Sequence, residues 1–384
     1  MNPHLDSTMN NLYLDNHATT PVDAEVLKAM IPYFTEKFGN AASRHPFGWK
    51  AQEAVDRART IISDELNAKP KEIIFTSGAT ESVNLAIKGF CEANKSSGKH
   101  IITQVTEHKA VLDNCAEMEK RGWDVTTLPV QADGLISLED LKGAIQDNTV
   151  LVSIMHANNE IGVIHDLEAI GALCKKNGIC FFTDAAQSFG KIPTDVQAMN
   201  LSMLAGTAHK MYGPKGIGFL YVNSDVKLKL QMDGGGHERG LRSGTLPVPL
   251  IVGFGKAVNR CADLRDEETK RMKPMRDRLL NGILHAFPDT IVNGTMARRL
   301  TNNLNVSFPN VDGEALHLKL ESISCSSGSA CTSATLEPSY VMKALGHSDT
   351  LAKASIRIGF GRLNTESDVD EALKEIVGAV QSFS

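Results

Sequence analysis

Residues 150–184 read VLVSIMHANNEIGVIHDLEAIGALCKKNGICFFTD and contain two apolar runs, Val150–Met155 and Ile179–Thr183. Between them, Asp166–Asn177 has the apolar spacing of an amphipathic helix. Strand-like runs that alternate with helical patterns are typical of α/β proteins, in which the strands form a largely parallel sheet. This stretch therefore predicts an α/β fold.

The same alternation extends to both sides of this stretch. Further strand-like runs are Glu72–Phe75, His100–Val105, Met203–Ala205 and Gly216–Val222. We expect all six runs to join one sheet, with helices packed against it. At 384 residues the chain exceeds what one hydrophobic core usually serves, so two domains are expected.

The pattern changes after about residue 260. A charged helical stretch covers Asp263–His285, and Pro274 is a candidate position for an interruption of it. Two strand-like runs, Asn303–Phe308 and Ser355–Ile358, precede an amphipathic helix at about Glu366–Val380. We interpret this part as a smaller α+β domain to which the N-terminal segment returns. The predicted division is a large domain at 18–260 and a small domain at 1–17 and 261–384.

Composition and charge exclude several classes of protein. The net charge of −5 gives no electrostatic footprint for nucleic acid or for a membrane surface. Apolar runs such as Val150–Met155 are too short to span a bilayer. The segment Met1–Asn11 is polar and lacks Lys and Arg, so no signal or transit peptide is expected. Seven cysteines without paired spacing indicate a reducing, cytosolic-type environment.

Polar residues follow several of the predicted strands at their carboxyl ends, where open α/β sheets bind ligands. They supply hydroxyls, an imidazole, amides, a carboxylate and an amine, in the segments Thr76–Thr80, Glu107-His108, Asn158–Glu160, Asp184–Gln187 and Thr207–Lys210. Together these groups suit a phosphorylated aromatic cofactor.

Two of these segments have an ordinary structural explanation as well. Gly78 permits a tight turn before a helix whose free N–H groups could bind a phosphate, yet Thr76 or Ser77 could simply cap that helix. Asp184 could likewise cap a helix, or it could pair with a protonated pyridine nitrogen. A carboxylate directly after an apolar run is costly unless it is paired.

Lys210 is the candidate for a Schiff base with an aldehyde cofactor. It follows His209 in a glycine-punctuated loop, whereas Lys215, five residues later, is expected to be an ordinary surface lysine. His108, as a lone histidine, is more often a helix cap than a catalyst. At the end of a strand among the groups above, it could stack on a flat ring and shuttle protons.

Cys331 lies in the small, polar stretch SCSSGSACTS, residues 324–333. Five cysteines (91, 115, 174, 180 and 261) occur in helical or strand-like contexts that favour burial. A thiol in a Ser/Gly-rich loop is instead suited to act as a nucleophile. Cys325 is expected at the end of a strand beneath the loop. Arg357, within an apolar run, predicts a guanidinium held for a carboxylate, although a solvent-facing edge arginine is the alternative.

The chain resembles the cysteine desulfurases of the NifS/IscS type, which are fold-type I pyridoxal-phosphate enzymes. The resemblance runs from about Leu12 to the end, and its most specific stretches are residues 13–21, 75–82, 152–162, 209–216, 234–245 (GGGHERGLRSGT) and 326–340 (SSGSACTSATLEPSY). The last of these is the strongest signal.

The resemblance implies a role for each candidate residue. Lys210 would carry pyridoxal 5'-phosphate, Asp184 would hold its pyridine nitrogen, and His108 would stack on the ring. The ring oxygen would contact Asn159 and Gln187, and the phosphate would be bound by Ala79, Thr80, Thr207 and His209, with Thr245 reaching over from the second subunit of a homodimer. Asn40 and Arg357 would receive the carboxylate of L-cysteine.

The implied reaction converts L-cysteine to L-alanine and leaves the sulfur on Cys331 as a persulfide. The sulfur would pass to an iron–sulfur scaffold protein, for which Cys331 could be a transient cluster ligand, or to other acceptors, including those of tRNA thiolation. A selenocysteine lyase or an aminotransferase would share Lys210 and Asp184, although the Cys331 loop disfavours a transaminase. A non-catalytic interaction protein on the same fold is the third alternative.

Four positions in three segments depart from the family pattern. Ala41 follows Asn40 where the family usually has proline, and Ala186 replaces a threonine or valine. Thr207-Ala208 stands where the family has Ser-Gly, which keeps the hydroxyl but stiffens the turn.

Overall fold

The computed structural model of the chain describes residues 11–328 and 337–383. The strands in these ranges are β1 (Leu12–Tyr13), β2 (Ile73–Thr76), β3 (His100–Gln104), β4 (Asp124–Leu128), β5 (Thr149–Ser153), β6 (Cys180–Asp184), β7 (Met203–Thr207), β8 (Gly218–Val222), β9 (Ile291–Val292), β10 (Asn303–Ser307), β11 (Ile323–Ser324) and β12 (Ser355–Gly359). The helices are α1 (Ala24–Met30), α2 (Pro32–Thr35), α3 (Pro46–Glu65), α4 (Ala79–Asn84), α5 (Phe90–Asn94), α6 (Lys109–Lys120), α7 (Leu138–Ala144), α8 (Leu167–Lys176), α9 (Val248–Ala286), α10 (Gly313–Lys319), α11 (Tyr340–Ala344), α12 (Asp349–Lys353) and α13 (Glu366–Gln381).

Seven strands form the large sheet, in the order β2-β8-β7-β6-β5-β3-β4. Five of them, from β7 to β4, run parallel, and β8 is antiparallel to both of its neighbours. All six predicted runs became strands of this sheet, and the predicted helix between β5 and β6 is α8. The prediction of an α/β fold with a largely parallel sheet is confirmed.

The central strands are apolar on both faces because helices cover both faces. On one face, Phe181 of β6 and Phe219 of β8 pack with α3 and the first part of α9. On the other face, Phe182 of β6 and Leu220 of β8 pack with α4 and α6. Since adjacent residues of a strand point to opposite faces, the continuous run around residue 181 fills two cores at once.

Strand β4 was missed by the sequence analysis. It forms the edge of the large sheet and pairs in parallel with β3 alone. Only Leu128 of its five residues is buried. An edge strand that is half exposed has no continuous apolar run, so only its β-branched residues, Val125, Thr126 and Thr127, pointed to a strand.

A second, smaller sheet is built from the C-terminal part of the chain. Its strands are antiparallel in the order β12-β10-β9. The N-terminal segment returns to this part, because β1 pairs in parallel with β11 and Asp15 forms a bridge with Gly359. Leu14 is thereby buried in the core of the small sheet together with Ile356 and Ile358.

Helix α9 connects the two cores. Its first part, including Phe254, packs on the large sheet, whereas Leu279 and Ile283 pack on the small sheet. The helix continues through Pro274, so the candidate interruption there was wrong. The predicted domain boundary at 260/261 falls inside this helix, and the position of the division stays a prediction.

Two further sequence predictions concern membrane-spanning segments and buried cysteines. In the described ranges, no helix combines the length and the apolar character needed to cross a membrane. Of the five cysteines expected in buried contexts, Cys180 is partly exposed and the others are buried, namely Cys91, Cys115, Cys174 and Cys261.

A buried ion pair fixes the glycine-rich segment 234–245 against the large sheet. Arg59 of α3 donates to both carboxylate oxygens of Glu238, at 2.6 and 2.7 Å. Glu238 also accepts from the backbone N–H of Phe75 in β2, at 2.7 Å. Both charged side chains are almost completely buried, so each requires the other for compensation.

Glu238→Gln should lower the free energy of unfolding by about 3 kcal/mol, because it leaves the Arg59 guanidinium buried without a counter-charge. Urea unfolding followed by fluorescence at one protein concentration measures this loss. Glu53→Gln on the same helix is the control, since Glu53 pairs with Arg57 in full exposure and should matter little. Equal unfolding midpoints for the two variants would refute the assignment.

Candidate active site

The carboxyl ends of the parallel strands surround a cavity of about 440 Å³. Thr76, Asp184 and Thr207 end β2, β6 and β7 at this edge, and Gly218 opens β8 there because β8 runs the other way. Ten of the predicted site residues line the cavity: Ala79, Thr80, His108, Asn159, Asp184, Gln187, Thr207, His209, Lys210 and Arg357.

Lys210 ends a short 3-10 turn that directly follows β7. Its Nζ donates to the backbone carbonyl of His17 at 2.7 Å, so the N-terminal segment lies against it. The preceding His209 places its Nδ1 3.1 Å from the hydroxyl of Thr19. Burial, followed by the charge of Lys210, lowers the pKa of His209 to about 4. The His209 imidazole is therefore neutral at physiological pH. Lys215 is exposed, as predicted, but it also lines the cavity.

Asp184 is the last residue of β6 and is almost completely buried. One of its carboxylate oxygens accepts from the backbone N–H of Ala186 at 2.9 Å. The residues that follow form a turn and not a helix, so the interpretation of Asp184 as a helix cap was wrong. A buried carboxylate with one backbone donor still requires a compensating positive charge.

The turn at Gly78 leads directly into α4. Gly78 is the N-cap residue, and no side chain caps this helix, so the alternative in which Thr76 or Ser77 serves as the cap was wrong. The turn is packed closely on β8, since a Cβ at Gly218 would lie 2.7 Å from Gly78. Uncapped N–H groups beside the hydroxyls of Thr80 and Thr207 provide a site for a phosphate.

His108 is both a helix cap and a residue of the cavity wall, the two positions that the sequence allowed. It caps α6, because its Nδ1 accepts from the backbone N–H of Ala110 at 3.1 Å, and it also lines the cavity. Burial is the main cause that lowers its pKa below the ordinary value, although the nearby Asp184 opposes this shift. A neutral imidazole whose Nδ1 accepts carries its proton on Nε2.

Arg357 is buried in β12, with 1% of its surface exposed. The solvent-facing alternative was therefore wrong. Its guanidinium donates to Asp15 at 2.6 Å and to the backbone carbonyl of Asn159 at 3.0 Å. Its Nε and the side-chain oxygen of Asn159 are buried without a hydrogen-bond partner among the described residues. Such groups require a partner, and a bound ligand can supply it.

Three predicted residues are not among those that line this cavity. Asn40 is exposed and lines a second cavity of about 280 Å³ together with His237 and Arg239. Within one copy of the chain, Asn40 and Arg357 therefore line different cavities. The resemblance had implied that both residues bind the substrate carboxylate. Thr245 is exposed in the glycine-rich segment. Cys331 lies outside the described residues, although Cys325 directly follows β11, as expected.

The sequence analysis assigned no role to His17, which also lines the cavity. Its Nδ1 lies 3.0 Å from the amide oxygen of Gln187, and its carbonyl accepts from the amide nitrogen of Gln187 at 2.9 Å. His17 is 170 residues from Gln187 in the chain. No local pattern marks such a residue, because it reaches the site only through the pairing of β1 with β11.

The donors and acceptors of the cavity fit pyridoxal 5'-phosphate. Asp184 can hold a protonated pyridine nitrogen, and Lys210 can bind the aldehyde carbon. The unpartnered oxygen of Asn159 and the remaining N–H of Gln187 are suited to a ring substituent. The start of α4 suits the phosphate. Each polar part of this cofactor thus has a counterpart in the cavity wall.

Comparison with known proteins agrees with this geometry. The Aminotransferase class-V family model matches residues 12–372. Cysteine desulfurase IscS of Neisseria meningitidis is 53% identical over 97% of this chain and 94% of its own length. A solved structure titled as a NifS-like protein has a TM-score of 0.91 at 36% identity and covers 97% of this chain and 100% of its own.

A solved structure of SspA in complex with cysteine has a TM-score of 0.82 at 39% identity and covers 91% of this chain and 98% of its own. Both the family match and the relatives span nearly the whole chain. The chain belongs to the class-V aminotransferase family of pyridoxal-phosphate-dependent enzymes and, within it, to the cysteine desulfurases of the IscS and NifS type.

Proposed function

We propose that this enzyme is a cysteine desulfurase that converts L-cysteine to L-alanine and takes up the sulfur on Cys331 as a persulfide. The observation that carries the proposal is the convergence of Lys210, Asp184 and Arg357 on one cavity. An amine, a carboxylate and a guanidinium are what the cofactor and an amino-acid carboxylate require.

We assign the groups of the cavity to the parts of the cofactor as follows. Lys210 binds its aldehyde carbon, Asp184 its pyridine nitrogen, and His108 stacks on its ring. Asn159 and Gln187 contact the ring oxygen, and the phosphate lies against Ala79, Thr80, Thr207 and His209. When bound, the cofactor supplies an electron sink that stabilises negative charge at the substrate Cα.

Arg357 is the proposed receptor for the substrate carboxylate. Its Nε is buried and has no partner among the described residues, and a carboxylate can accept from such a group. With the carboxylate held there, Lys210 is the group that removes the Cα proton once its amine is released. Asp184 keeps the pyridine nitrogen protonated while this occurs. His108, neutral and protonated on Nε2, can donate a hydrogen bond from Nε2 within the same cavity.

Sulfur transfer then needs a thiolate that reaches the substrate. The Cys331 thiolate attacks the substrate sulfur, the sulfur–carbon bond breaks, and Cβ takes up a proton to complete alanine. The products, alanine and one persulfide, contain all the atoms of cysteine and the enzyme thiol.

The residues on each side of the segment that contains Cys331 contact Arg357, which lines the cavity, or Glu160, which is next to the lining residue Asn159. Ser326 forms a bridge with Arg357, and the Ser339 hydroxyl donates to Glu160, the neighbour of Asn159, at 2.5 Å. A Cβ at Gly328 would also lie 3.3 Å from a carboxylate oxygen of Glu160. Both ends of the segment that contains Cys331 are thus attached beside the proposed substrate groups, which supports Cys331 as the sulfur acceptor.

A homodimer is part of the proposal. Residues 27–49 expose several large apolar side chains, namely Leu27, Ile31, Phe34, Phe38, Phe47 and Trp49. Exposed apolar clusters of this kind are typical of subunit interfaces. Residues 27–49 and the glycine-rich segment 234–245 meet at the second cavity, which is lined by Asn40 from the first and His237 from the second. Thr245 is then available to a partner's phosphate, and Asn40 can serve a substrate only across that interface.

We further propose iron–sulfur scaffold proteins as the sulfur acceptors, with tRNA thiolation as a second use of the persulfide. A cytoplasmic location is consistent with the cysteines of the described ranges, which are all free thiols. The acceptor assignment follows from the resemblance to IscS-type and NifS-type enzymes.

Lys210→Ala should abolish covalent attachment of the cofactor. Borohydride treatment should add the cofactor's mass to the wild-type peptide that contains position 210 and leave the variant peptide unchanged. Alanine formation should fall at least about 100-fold, since the proposed base is lost as well. The exposed Lys215 provides the matched control, and Lys215→Ala should keep the adduct. An adduct that persists in Lys210→Ala would show that another lysine is used.

Cys331→Ser should still bind cysteine and cofactor, but it should form alanine at least about 100-fold more slowly, because a hydroxyl is un-ionised at neutral pH. Mass spectrometry of the peptide with position 331 should detect no persulfide. In the control Cys325→Ser, little should change, since burial raises the pKa of Cys325 to about 12 and keeps it unreactive. Normal alanine formation by Cys331→Ser, or sulfur on Cys325, would exclude the proposed nucleophile.

Sedimentation velocity should give twice the mass of the chain for the wild type. The double variant Phe38→Glu/Trp49→Glu should shift to the monomer, because two carboxylates in an apolar interface would be desolvated without partners. Leu318→Glu, at an equally exposed leucine outside residues 27–49, should remain dimeric. A wild type that sediments as a monomer with full activity would contradict the dimer.

A further inference from the structure

The Gln187 side chain is held at both ends by one residue, His17. The backbone carbonyl of His17 accepts from the Gln187 amide nitrogen at 2.9 Å. A carbonyl can only accept, so the nitrogen end of the amide must face it. The oxygen end then faces His17 Nδ1, at 3.0 Å, and accepts from Lys191 Nζ at 3.3 Å. This arrangement leaves one amide N–H of Gln187 for the cavity.

The same contacts define the proton on His17. Because the amide oxygen of Gln187 can only accept, Nδ1 must carry the hydrogen and Nε2 must be a bare lone pair. Nε2 is buried and has no hydrogen-bond partner among the described residues. Burial, followed by the charges of Lys191, Arg357 and Lys210, holds the pKa of His17 well below its ordinary value. The imidazole is therefore neutral, and its donor to Gln187 persists at physiological pH.

His17 is itself fixed by its surroundings. Its carbonyl accepts from Lys210 Nζ at 2.7 Å as well as from Gln187. Its ring packs on the end of β12, where a Cβ at Gly359 would lie 2.7 Å from His17 Cδ2. Asp15, two residues earlier, is bonded to Arg357. The backbone of His17 is therefore fixed beside Gln187, and its ring packs against Gly359.

We propose that His17 is a positioning residue that orients the Gln187 amide, so that its remaining N–H donates to the oxygen on the cofactor ring. This inference rests on the proposed placement of Gln187 against that oxygen. A donor to an oxyanion stabilises the deprotonated form and lowers the pKa of the oxygen. Without the His17 ring, of the donors His17 and Lys191 only Lys191 remains on the amide oxygen, so the amide is held less firmly and its remaining N–H is directed less well at the ring oxygen. The weaker donation raises the pKa of that oxygen.

The test is a pH titration of the visible absorbance of the holoenzyme. His17→Leu removes the ring N–H but keeps the backbone carbonyl, and the midpoint should rise by about one pH unit, the tenfold change expected for one lost hydrogen bond. His17→Asn places an amide N–H where Nδ1 was, so its midpoint should stay near that of the wild type. Because His17 is neutral, no charge is lost in either variant.

His100→Asn is the matched control for loss of a buried histidine. His100 is fully buried in β3, and its two ring nitrogens lie 2.7 and 2.9 Å from the hydroxyls of Thr149 and Thr126. The midpoint of the absorbance titration of His100→Asn should equal that of the wild type, even if this variant is less stable. The inference is overturned if His17→Leu titrates like the wild type, if His17→Asn shifts as far, or if His100→Asn does. A wild type without a cofactor band would instead refute the proposed function.

Discussion

The buried ion pair between Arg357 and Asp15 joins the separate parts of the chain into one site. The guanidinium comes from β12, the carboxylate from the N-terminal segment, and a second acceptor is the carbonyl of Asn159, which follows β5. Ser326, before the Cys331 segment, donates to the other oxygen of Asp15 at 2.9 Å. A buried guanidinium is costly unless it is paired, so the small sheet, the large sheet and the N-terminal segment must meet there.

Burial at this junction also sets the charge states. Desolvation keeps His17, His108 and His209 neutral. The amine of Lys210, the carboxylate of Asp184 and the guanidinium of Arg357 lie around the same cavity, which Glu81 and Lys215 also line. Neutral imidazoles can donate or accept hydrogen bonds without adding charge to the site. Each charged group can instead bind one charged part of the zwitterionic substrate or of the cofactor. The low polarity that lowers the pKa of the histidines also strengthens every hydrogen bond to the ligand.

The features that could be predicted from the sequence are those that depend on the local pattern of residues. Apolar runs identified the strands that are buried on both faces, and the polar residues after them identified Lys210 and Asp184. The sequence analysis missed β4, whose exposed edge position leaves no apolar run, and it suggested a break at Pro274, although packing on both cores keeps α9 continuous. His17 could not be found, because its role depends on a contact across 170 residues. Asn40 and Thr245 are exposed and do not line the cavity in one chain, so their proposed roles depend on a second subunit.

The most direct test of the central claim is a first-turnover measurement on the wild-type enzyme. Cysteine is mixed rapidly with excess holoenzyme without reductant, the reaction is quenched, and alanine and protein-bound sulfur are both quantified. We expect equal amounts of alanine and of persulfide on Cys331, with no free sulfide, because the sulfur passes directly from substrate to thiolate. Alanine without sulfur on the protein, or pyruvate and ammonia together with free sulfide, would contradict it.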